Sequence, residues 1–273
     1  MFDYHIHTQF SGDSDTAAQK MIEAAIAKNM TEIAITDHFD PGYTDPSISF
    51  ELDMGAYSDM LETMQKRYQK QITIKKGIEL GLQMSELAAC QKAAAALPFD
   101  FIIASFHMSN GKLLHVPEYF KEREGKAIHL DFYTDLYRTL QAFKQYSVVG
   151  HLNIIDRYVY LYCYQMELNP AYAMDIVREI LRMLIYEGKG LEVNASSYRY
   201  GLPILTPSQE ILKAYLELGG EILTVGSDAH SPEYIGDHFE ILYPLLQSMG
   251  FRYLCAFDQM KPSFHTIESI IPD

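Results

Sequence analysis

The feature that most constrains the fold is a repeated alternation between short β-branched or aromatic segments and segments with helical periodicity. Seven segments have the composition of strands, at 2–7, 31–38, 72–80, 100–107, 146–151, 190–194 and 221–230. Helical patterns lie between them, for example at 16–29, 135–145, 171–190 and 208–220. Because strands that alternate with helices usually pair in parallel, the pattern predicts an α/β fold of βα units. A further run at 253–259 could be an eighth strand or a terminal edge.

The residues at the strand ends favour a closed barrel over an open doubly wound sheet. Metal-ligand side chains fall at or just beyond the C-terminal end of six of the seven strand segments, namely His5, His7, His38, Glu79, His107, His151, Asp228 and His230. In a closed βα barrel these ends converge on one mouth, where active sites are built. No Gly-rich phosphate fingerprint follows the first strand. No low-complexity linker divides the chain, so we expect a single barrel domain over residues 1–273.

Charge and cysteine content restrict the partners and the compartment. Asp and Glu total 36 against 22 Lys and Arg, a net charge of -14 that repels nucleic acid and anionic membranes. A small substrate or a metal suits this balance better. The three cysteines fit no metal or disulfide spacing, and the N-terminus has no signal-peptide pattern, so we expect a reduced, cytoplasmic environment. The most apolar run is interrupted by Pro98 and Asp100 and is too short to span a bilayer.

Short motifs at the strand ends suggest a metal site. His5 and His7, at i and i+2, point to the same face of an extended strand and could hold one cation, or could simply pack there. The TDH and SDAH motifs at 36–38 and 227–230 each place an acid beside a histidine, although such an Asp could instead cap the next helix. Glu79 could bridge two cations, as a multinuclear site requires, or could begin a helix.

Taken together, the motifs resemble those of the polymerase and histidinol phosphatase (PHP) superfamily. They match it in order along nearly the whole chain, with HxH at 5–7, TDH at 36–38, GIEL at 77–80, SFH at 105–107, GH at 150–151 and SDAH at 227–230. The segments HTQFSGDSD, GHLNIIDRY and LEVNASSYRYG resemble the monofunctional histidinol-phosphate phosphatases within it. This resemblance implies a distorted, TIM-like (β/α)7 barrel with three divalent metal ions, Zn, Mn or Fe, at the C-terminal ends of the strands.

The resemblance also implies which residues hold the metals. It assigns His5, His7, Glu79 and Asp228 to one ion, Glu79, His107 and His151 to a second, and His38, His230 and Asp13 to a third. Many relatives have histidine where this chain has Asp13, and Asp15 is the alternative if the loop is shifted. An oxygen ligand at this position favours manganese or iron over zinc.

The implied chemistry is hydrolysis of L-histidinol phosphate, a phosphate monoester, by a water that the cations activate as a nucleophile. We assign Asp228, His230 and Arg199 as catalytic residues, and Arg157 and Arg199 as phosphate-binding residues, because Arg binds phosphate bidentately. The alternative for the arginines is a surface pair with Asp156 or Glu192. A metal-bound water or Asp228 could protonate the leaving alkoxide.

Two other functions stay open at this point. One is a phosphoesterase on the same scaffold that acts on nucleotides or nucleic-acid ends, and the other is a metal-stabilised barrel without activity. The remaining histidines, His115, His129, His238 and His265, match no motif and are expected on the surface or on helices. The tyrosine-rich run at 158–164 predicts packing or a pocket wall, which could hold the imidazole of the substrate. A long loop at roughly 108–128, which includes Glu118 and Tyr119, could cover the mouth.

Overall fold

The computed structural model describes residues 1–121, 123, 125–163, 166–168 and 170–271. Within them the strands are β1 (Phe2–Ile6), β2 (Glu32–Ile35), β3 (His38–Phe39), β4 (Thr73–Gly81), β5 (Phe101–Ser105), β6 (Met108–Ser109), β7 (Lys112–Leu113), β8 (Val148–Val149), β9 (Gly190–Asn194), β10 (Leu223–Gly226), β11 (Tyr253–Asp258) and β12 (Lys261–Thr266). The helices are α1 (Ala18–Ala27), α2 (Met54–Tyr68), α3 (Leu87–Ala94), α4 (Gly125–Ala142), α5 (Ile155–Tyr162), α6 (Met174–Tyr186), α7 (Ser196–Arg199), α8 (Gln209–Glu217), α9 (Phe239–Met249) and α10 (Ile267–Ile270).

Seven parallel strands form the barrel, in the order β1-β2-β4-β5-β8-β9-β10. A parallel bridge between Ile6 and Ala229 brings the last strand back to the first and nearly closes the sheet. Short β3 runs beside β4, where His38 pairs with Glu79 in register. Each strand predicted from the sequence up to residue 230 coincides with a barrel strand, so the predicted (β/α) barrel is confirmed. Five of the seven barrel strands, β1, β2, β5, β8 and β10, are shorter than predicted, because their motif residues turn out of the sheet into the loops at the mouth, whereas β4 and β9 have the predicted length.

The run at 253–259 forms β11, which pairs antiparallel with β12 in a separate two-stranded ribbon. It is therefore not an eighth barrel strand. The ribbon packs on the barrel through Phe257, whose ring lies 5.0 Å from that of Phe101, and its backbone N–H donates to the Tyr4 hydroxyl at 2.8 Å. Phe257 of this run is thus buried against barrel residues, whereas Tyr253 is largely exposed, and neither residue extends the barrel sheet.

The segment predicted as a long loop at 108–128 is more ordered than expected. It contains the small β6–β7 hairpin and a 3-10 turn at Pro117–Tyr119, and α4 already begins at Gly125. Residues 122 and 124, which belong to the predicted loop, lie outside the described residues. Early helix formation follows from burial, because Ile128 and Phe132 on the first turns of α4 are almost completely inaccessible. No helix of the described chain is long and apolar enough to cross a membrane.

Candidate metal centre and active site

The strand ends deliver the predicted ligand side chains to one cleft at the mouth of the barrel. The cleft has a volume of about 400 Å³ and is lined by Asp13, His38, Tyr43, Ile48, Phe50, Glu79, His107, His115, His151, Ile154, Arg157, Tyr158, Tyr200, Asp228 and His230. His5 and His7 lie directly beneath it and are fully buried. All the residues that we expected to hold metal are therefore brought together, although they come from segments far apart in the sequence.

Glu79 is the hub of the cluster. Its carboxylate, on the second half of β4, is buried and faces imidazole nitrogens from five different positions of the described chain. The nitrogen–oxygen distances are 3.0 Å for His5, 3.4 Å for His7, 3.1 Å for His38, 3.4 Å for His107 and 3.0 Å for His151. A single carboxylate at the centre of five imidazoles is the arrangement that a bridging ligand between cations needs.

Asp228 faces the same cluster from the other side. Its Oδ1 atom lies 3.4 Å from His7 Nε2 and 3.8 Å from His5 Nε2. Asp228 has a φ of 55° and His151 has a φ of 27°, both in the left-handed region that side chains other than glycine seldom adopt. This backbone geometry turns each side chain from the end of its strand toward the centre of the mouth, and such strain concentrates at functional sites.

Asp13 reaches the cluster at its outer rim. The Asp13 Oδ2 atom lies 3.1 Å from His230 Nε2 and 3.6 Å from His38 Nε2. Asp15 lies two residues further along the same loop and is exposed. The loop therefore presents Asp13 to the two imidazoles that the sequence resemblance grouped with it.

The donor set fits divalent cations. Among the residues that the structure describes, four overlapping groups have potential ligand atoms within 4.8 Å of one another, namely His5/His7/Asp228, His5/Glu79/His151, His38/Glu79/His107 and His7/His38/His230. The Nε2 atom of His7 and the Nδ1 atom of His38 are buried without a hydrogen-bond partner among the described residues. Buried polar atoms are normally satisfied, so ring nitrogens without a hydrogen-bond partner beside carboxylates indicate a site built for metal. Nitrogen with carboxylate oxygen suits zinc, manganese and iron.

The charges within the cluster shift each other's ionisation. Burial opposes ionisation of Glu79, but the surrounding imidazoles, first of all His5 and His38, hold its pKa well below the ordinary value. Burial also disfavours the charged His38 ring, yet the carboxylates of Glu79 and Asp13 raise its pKa to about 9. The carboxylate at the hub is therefore ionised at neutral pH and attracts positive charge.

His7 differs from the imidazoles around it. Burial and the nearby rings of His230 and His38 lower its pKa to about 3. The His7 ring stacks with the rings of His38 and His230, whose centroids lie 4.3 Å and 4.1 Å from its own. His7 is therefore neutral at physiological pH, and its unpartnered nitrogen is ready to bind a cation.

Two buried carboxylates that the sequence motifs did not single out as ligands support the cluster from behind. Asp40 Oδ2 lies 2.5 Å from His107 Nδ1, and Glu192 Oε1 lies 2.5 Å from His5 Nδ1. Asp37 of the TDH motif points away from the cluster and accepts hydrogen bonds from Thr8 and Ser11. The only sequence signal for Asp40 and Glu192 was an acidic residue next to a motif or within an apolar strand.

The two arginines occupy different positions at the mouth. Arg157 lines the cleft, donates from Nη2 to Ser196 Oγ at 2.8 Å, and stacks on the Tyr200 ring at 4.4 Å. Arg199 stacks on Tyr234 and donates to the backbone carbonyl of Asp228 at 2.9 Å. Arg157 thus presents its guanidinium to the cleft, whereas the guanidinium of Arg199 contacts the loop that carries Asp228.

The alternative partners suggested for the arginines are engaged elsewhere. Glu192 contacts His5, and Asp156 lies 2.9 Å from His129 Nε2 and accepts from Asn153 at 2.8 Å. Arg157 itself is buried. The described contacts of Arg157 are therefore with Ser196 and Tyr200, and they do not include a surface ion pair with Asp156 or Glu192.

The unmatched histidines follow the expectation only in part. His129 lies on α4 as a helix residue but is fully buried, and His115 lines the cleft with its Nδ1 atom 3.2 Å from the Tyr43 hydroxyl. His238 and His265 lie away from the cleft. Tyr158, at the start of the tyrosine-rich run, lines the cleft as a pocket wall, whereas Tyr164 lies outside the described residues.

Comparison with known proteins identifies the family. The PHP domain model matches residues 3–196. A histidinol-phosphatase of Lactococcus lactis subsp. lactis is 28% identical over 266 residues, 95% of each chain. A probable histidinol-phosphatase of Clostridium acetobutylicum is 27% identical over 242 residues, 88% of this chain and 90% of that one. The crystal structure of the L. lactis histidinol phosphate phosphatase, complexed with zinc, L-histidinol and phosphate, matches with a TM-score of 0.85 at 27% identity, over 96% of this chain and 98% of that chain. The chain belongs to the PHP domain family.

Proposed function

We propose that this chain is a metal-dependent histidinol-phosphatase that hydrolyses L-histidinol phosphate to L-histidinol and phosphate, a step in histidine biosynthesis. The observation that carries the proposal is the Glu79 hub with five imidazoles beside the Arg157 guanidinium. Support for the substrate comes from the L. lactis phosphatase, whose fold this chain shares and whose crystal structure contains zinc, L-histidinol and phosphate.

Three divalent ions, zinc, manganese or iron, are our proposed cofactors. One would be held by His5, His7, Glu79 and Asp228, a second by Glu79, His107 and His151, and a third by Asp13, His38 and His230. Bound cations neutralise phosphoryl charge and activate water for attack on phosphorus. The fit is best supported at the hub, where three of the four ligand groups share His5 or Glu79.

The residues of the chain bind the substrate and handle its protons. Arg157 is preorganised by Ser196 and Tyr200, so its guanidinium can bind phosphate oxygens at little entropic cost. Arg199 would contribute a second positive charge from the loop of Asp228. Asp228 and His230 line the cleft, with Oδ1 and Nδ1 3.6 Å apart. The neighbouring imidazoles hold the pKa of Asp228 well below its ordinary value, so we propose that this pair relays a proton from water to the leaving alkoxide rather than supplying its own.

Part of the wall of the cleft suits the organic half of the substrate. Tyr43, Phe50, His115 and Tyr158 give it an aromatic lining. Planar rings can stack on such a wall, which matches the imidazole of histidinol. We therefore expect a small phosphate monoester as the partner and, given the net charge of -14, no nucleic acid. A single domain over residues 1–273 and a cytoplasmic location remain part of this proposal.

The experiment that tests the function is phosphate release from L-histidinol phosphate by protein whose metal content has been measured. AMP and a short 5′-phosphorylated oligonucleotide serve as competing substrates. We expect a strong preference for histidinol phosphate, loss of activity with chelator, and recovery with Mn²⁺ or Zn²⁺. Preference for AMP or the oligonucleotide would keep the metal centre but overturn the substrate. The relatives named histidinol-phosphatase make that outcome the less favoured one.

A further inference from the structure

Glu192 lies directly behind the cluster on β9, whose predicted segment, 190–194, is the one of the seven without a predicted metal ligand. It is fully buried on β9. Its Oε1 atom lies 2.5 Å from His5 Nδ1, and its Oε2 atom accepts the backbone N–H of His151 at 2.9 Å. One carboxylate thus contacts two residues of the cluster, one through its imidazole and one through its backbone.

The barrel provides a fitted space for this carboxylate. On the neighbouring strands, Gly150 follows β8 and Gly226 ends β10, so Glu192 is flanked by glycine on both sides. A Cβ atom at Gly226 would collide with Glu192 Oε1, and one at Gly150 would lie 3.3 Å from Oε2. Burying a carboxylate is costly unless its contacts repay the loss of solvation. The two glycines and the paired contacts therefore indicate a defined role for this side chain.

The contact with His5 determines which ring nitrogen can bind a cation. A carboxylate accepts hydrogen bonds, so it holds the proton of His5 on Nδ1. When a cation replaces the proton on the other nitrogen, the lone pair is on Nε2, which lies 3.0 Å from Glu79 Oε2 at the hub. Histidine ligands in metal sites are commonly oriented in this way by a carboxylate behind the ring.

We propose that Glu192 is a positioning residue of the metal centre, which fixes the ligating tautomer of His5 and the backbone at His151. This inference rests on the proposed metal-dependent function, but it concerns metal binding rather than substrate choice. Because His151 needs a left-handed backbone to face Glu79, the hydrogen bond to its N–H stabilises a conformation that would otherwise be unfavourable.

The substitution Glu192→Gln isolates this role because the carboxamide keeps the size but loses one acceptor. If its oxygen accepts from His151, its NH₂ group faces His5 Nδ1 and moves the ring proton to Nε2, where the cation would bind. If the amide is reversed, its NH₂ group opposes the His151 N–H. In either orientation one of the two contacts is lost.

The test compares metal binding in wild type, Glu192→Gln and a control, Glu32→Gln. Glu32 accepts from the Tyr4 hydroxyl at the start of β2, at the end of the barrel away from the cluster. We expect Glu192→Gln to weaken Zn²⁺ and Mn²⁺ binding about 10- to 100-fold, with activity partly recovered at high metal concentration, and Glu32→Gln to leave metal affinity unchanged. Wild-type metal affinity in Glu192→Gln would overturn the proposal.

A second measurement needs no variant and therefore does not depend on the folding of one. In zinc-loaded wild-type protein, ¹⁵N NMR should show His5 protonated at Nδ1 and bound through Nε2. A His5 ring bound through Nδ1, or protonated at Nε2, would contradict the proposal. The metal affinities and the ring-nitrogen assignment report on metal binding alone. Wild-type protein that binds metal but does not hydrolyse histidinol phosphate would therefore refute the proposed function and leave this inference standing.

Discussion

The inner and outer sides of the cluster of proposed metal ligands are built differently. On the inner side, Glu79 and His5 lie on barrel strands, and their side chains are 1% and 0% exposed. On the outer side, Asp13 and His230 lie on loops beyond the strands, and their side chains are 32% and 25% exposed. The inner positions are fixed by strand register, whereas the outer ones depend on loop conformation. We therefore expect the inner side to be needed for any metal binding and the outer side to adjust metal number and preference.

The largest expected effect comes from removing the hub. Glu79→Gln leaves five imidazoles around a neutral amide, so bound metal should fall sharply and kcat/KM should fall by on the order of 10³-fold. Metal analysis measures the bound metal, and phosphate release from histidinol phosphate measures kcat/KM. Glu62→Gln, which alters a surface ion pair with Lys76, serves as the control. If Glu79→Gln kept full metal content and more than a tenth of the activity, the inner side would not be the foundation of the centre.

A smaller effect is expected at the rim. Asp13→Ala should remove about one bound metal ion per chain and lower kcat/KM roughly 10²-fold, while the inner ions stay bound. Asp13→His exchanges oxygen for nitrogen and should raise the preference for zinc over manganese. Asp15→Ala, two residues away in the same loop, is the matched control. If Asp13→Ala and Asp15→Ala lost equal amounts of bound metal and activity, the effect would come from the conformation of the loop and not from Asp13 as a ligand.

The sequence predicted the positions that strand ends determine, but not the positions that depend on contacts between distant segments or on loop conformation. His5, Glu79 and Asp228 stand at strand ends, and the closure of a barrel brings such ends together, so their proximity followed from the periodicity of the chain. Glu192 was not predicted, because its role depends on a contact with His5 from a strand far away in the sequence. Its position within an apolar strand did not distinguish a supporting carboxylate from a lone buried charge.

The outer wall shows the same limit. His115 was expected on the surface or on a helix, yet it lines the cleft beside Tyr43. The β6–β7 hairpin and the turn that follows it set this position. Neither strand exceeds two residues, so no periodic pattern was available to predict them.

The pH dependence of stability should separate metal-free from metal-loaded protein. Without metal, burial opposes protonation of His38, but Glu79 and Asp13 raise its pKa from 6.5 to about 9. The protonated ring therefore stabilises the folded state fully below about pH 6.5, and this contribution is lost as the pH rises to about 9. Glu192 and Glu79 likewise raise the pKa of His5 against the effect of burial.

Metal binding reverses this dependence, because a cation requires the deprotonated imidazoles and binds more tightly as the pH rises. We expect the gap in unfolding free energy between metal-loaded and chelator-treated protein to widen between pH 6.5 and 9, by on the order of a few kcal/mol. Urea unfolding at several pH values measures it. If the unfolding free energies of the metal-loaded and chelator-treated proteins changed in parallel with pH, the imidazoles of the cluster would not be exchanging protons for metal.

The smallest effect is expected furthest from the hub, at the aromatic wall. Tyr43→Phe removes the hydroxyl that lies 3.2 Å from His115 Nδ1, so the His115 ring loses one restraint while every proposed metal ligand is kept. One hydrogen bond contributes about 1 kcal/mol, which corresponds to a roughly fivefold rise in KM for histidinol phosphate at unchanged metal content and little change in kcat. Tyr186→Phe, at a tyrosine that is 91% exposed, is the control. Because this wall should contact the imidazole half of the substrate and not its phosphate, a simple aryl phosphate should show no such rise. An equal rise for both substrates would mean that Tyr43 acts through the metal centre, and the separation between inner ligands and outer wall would then fail.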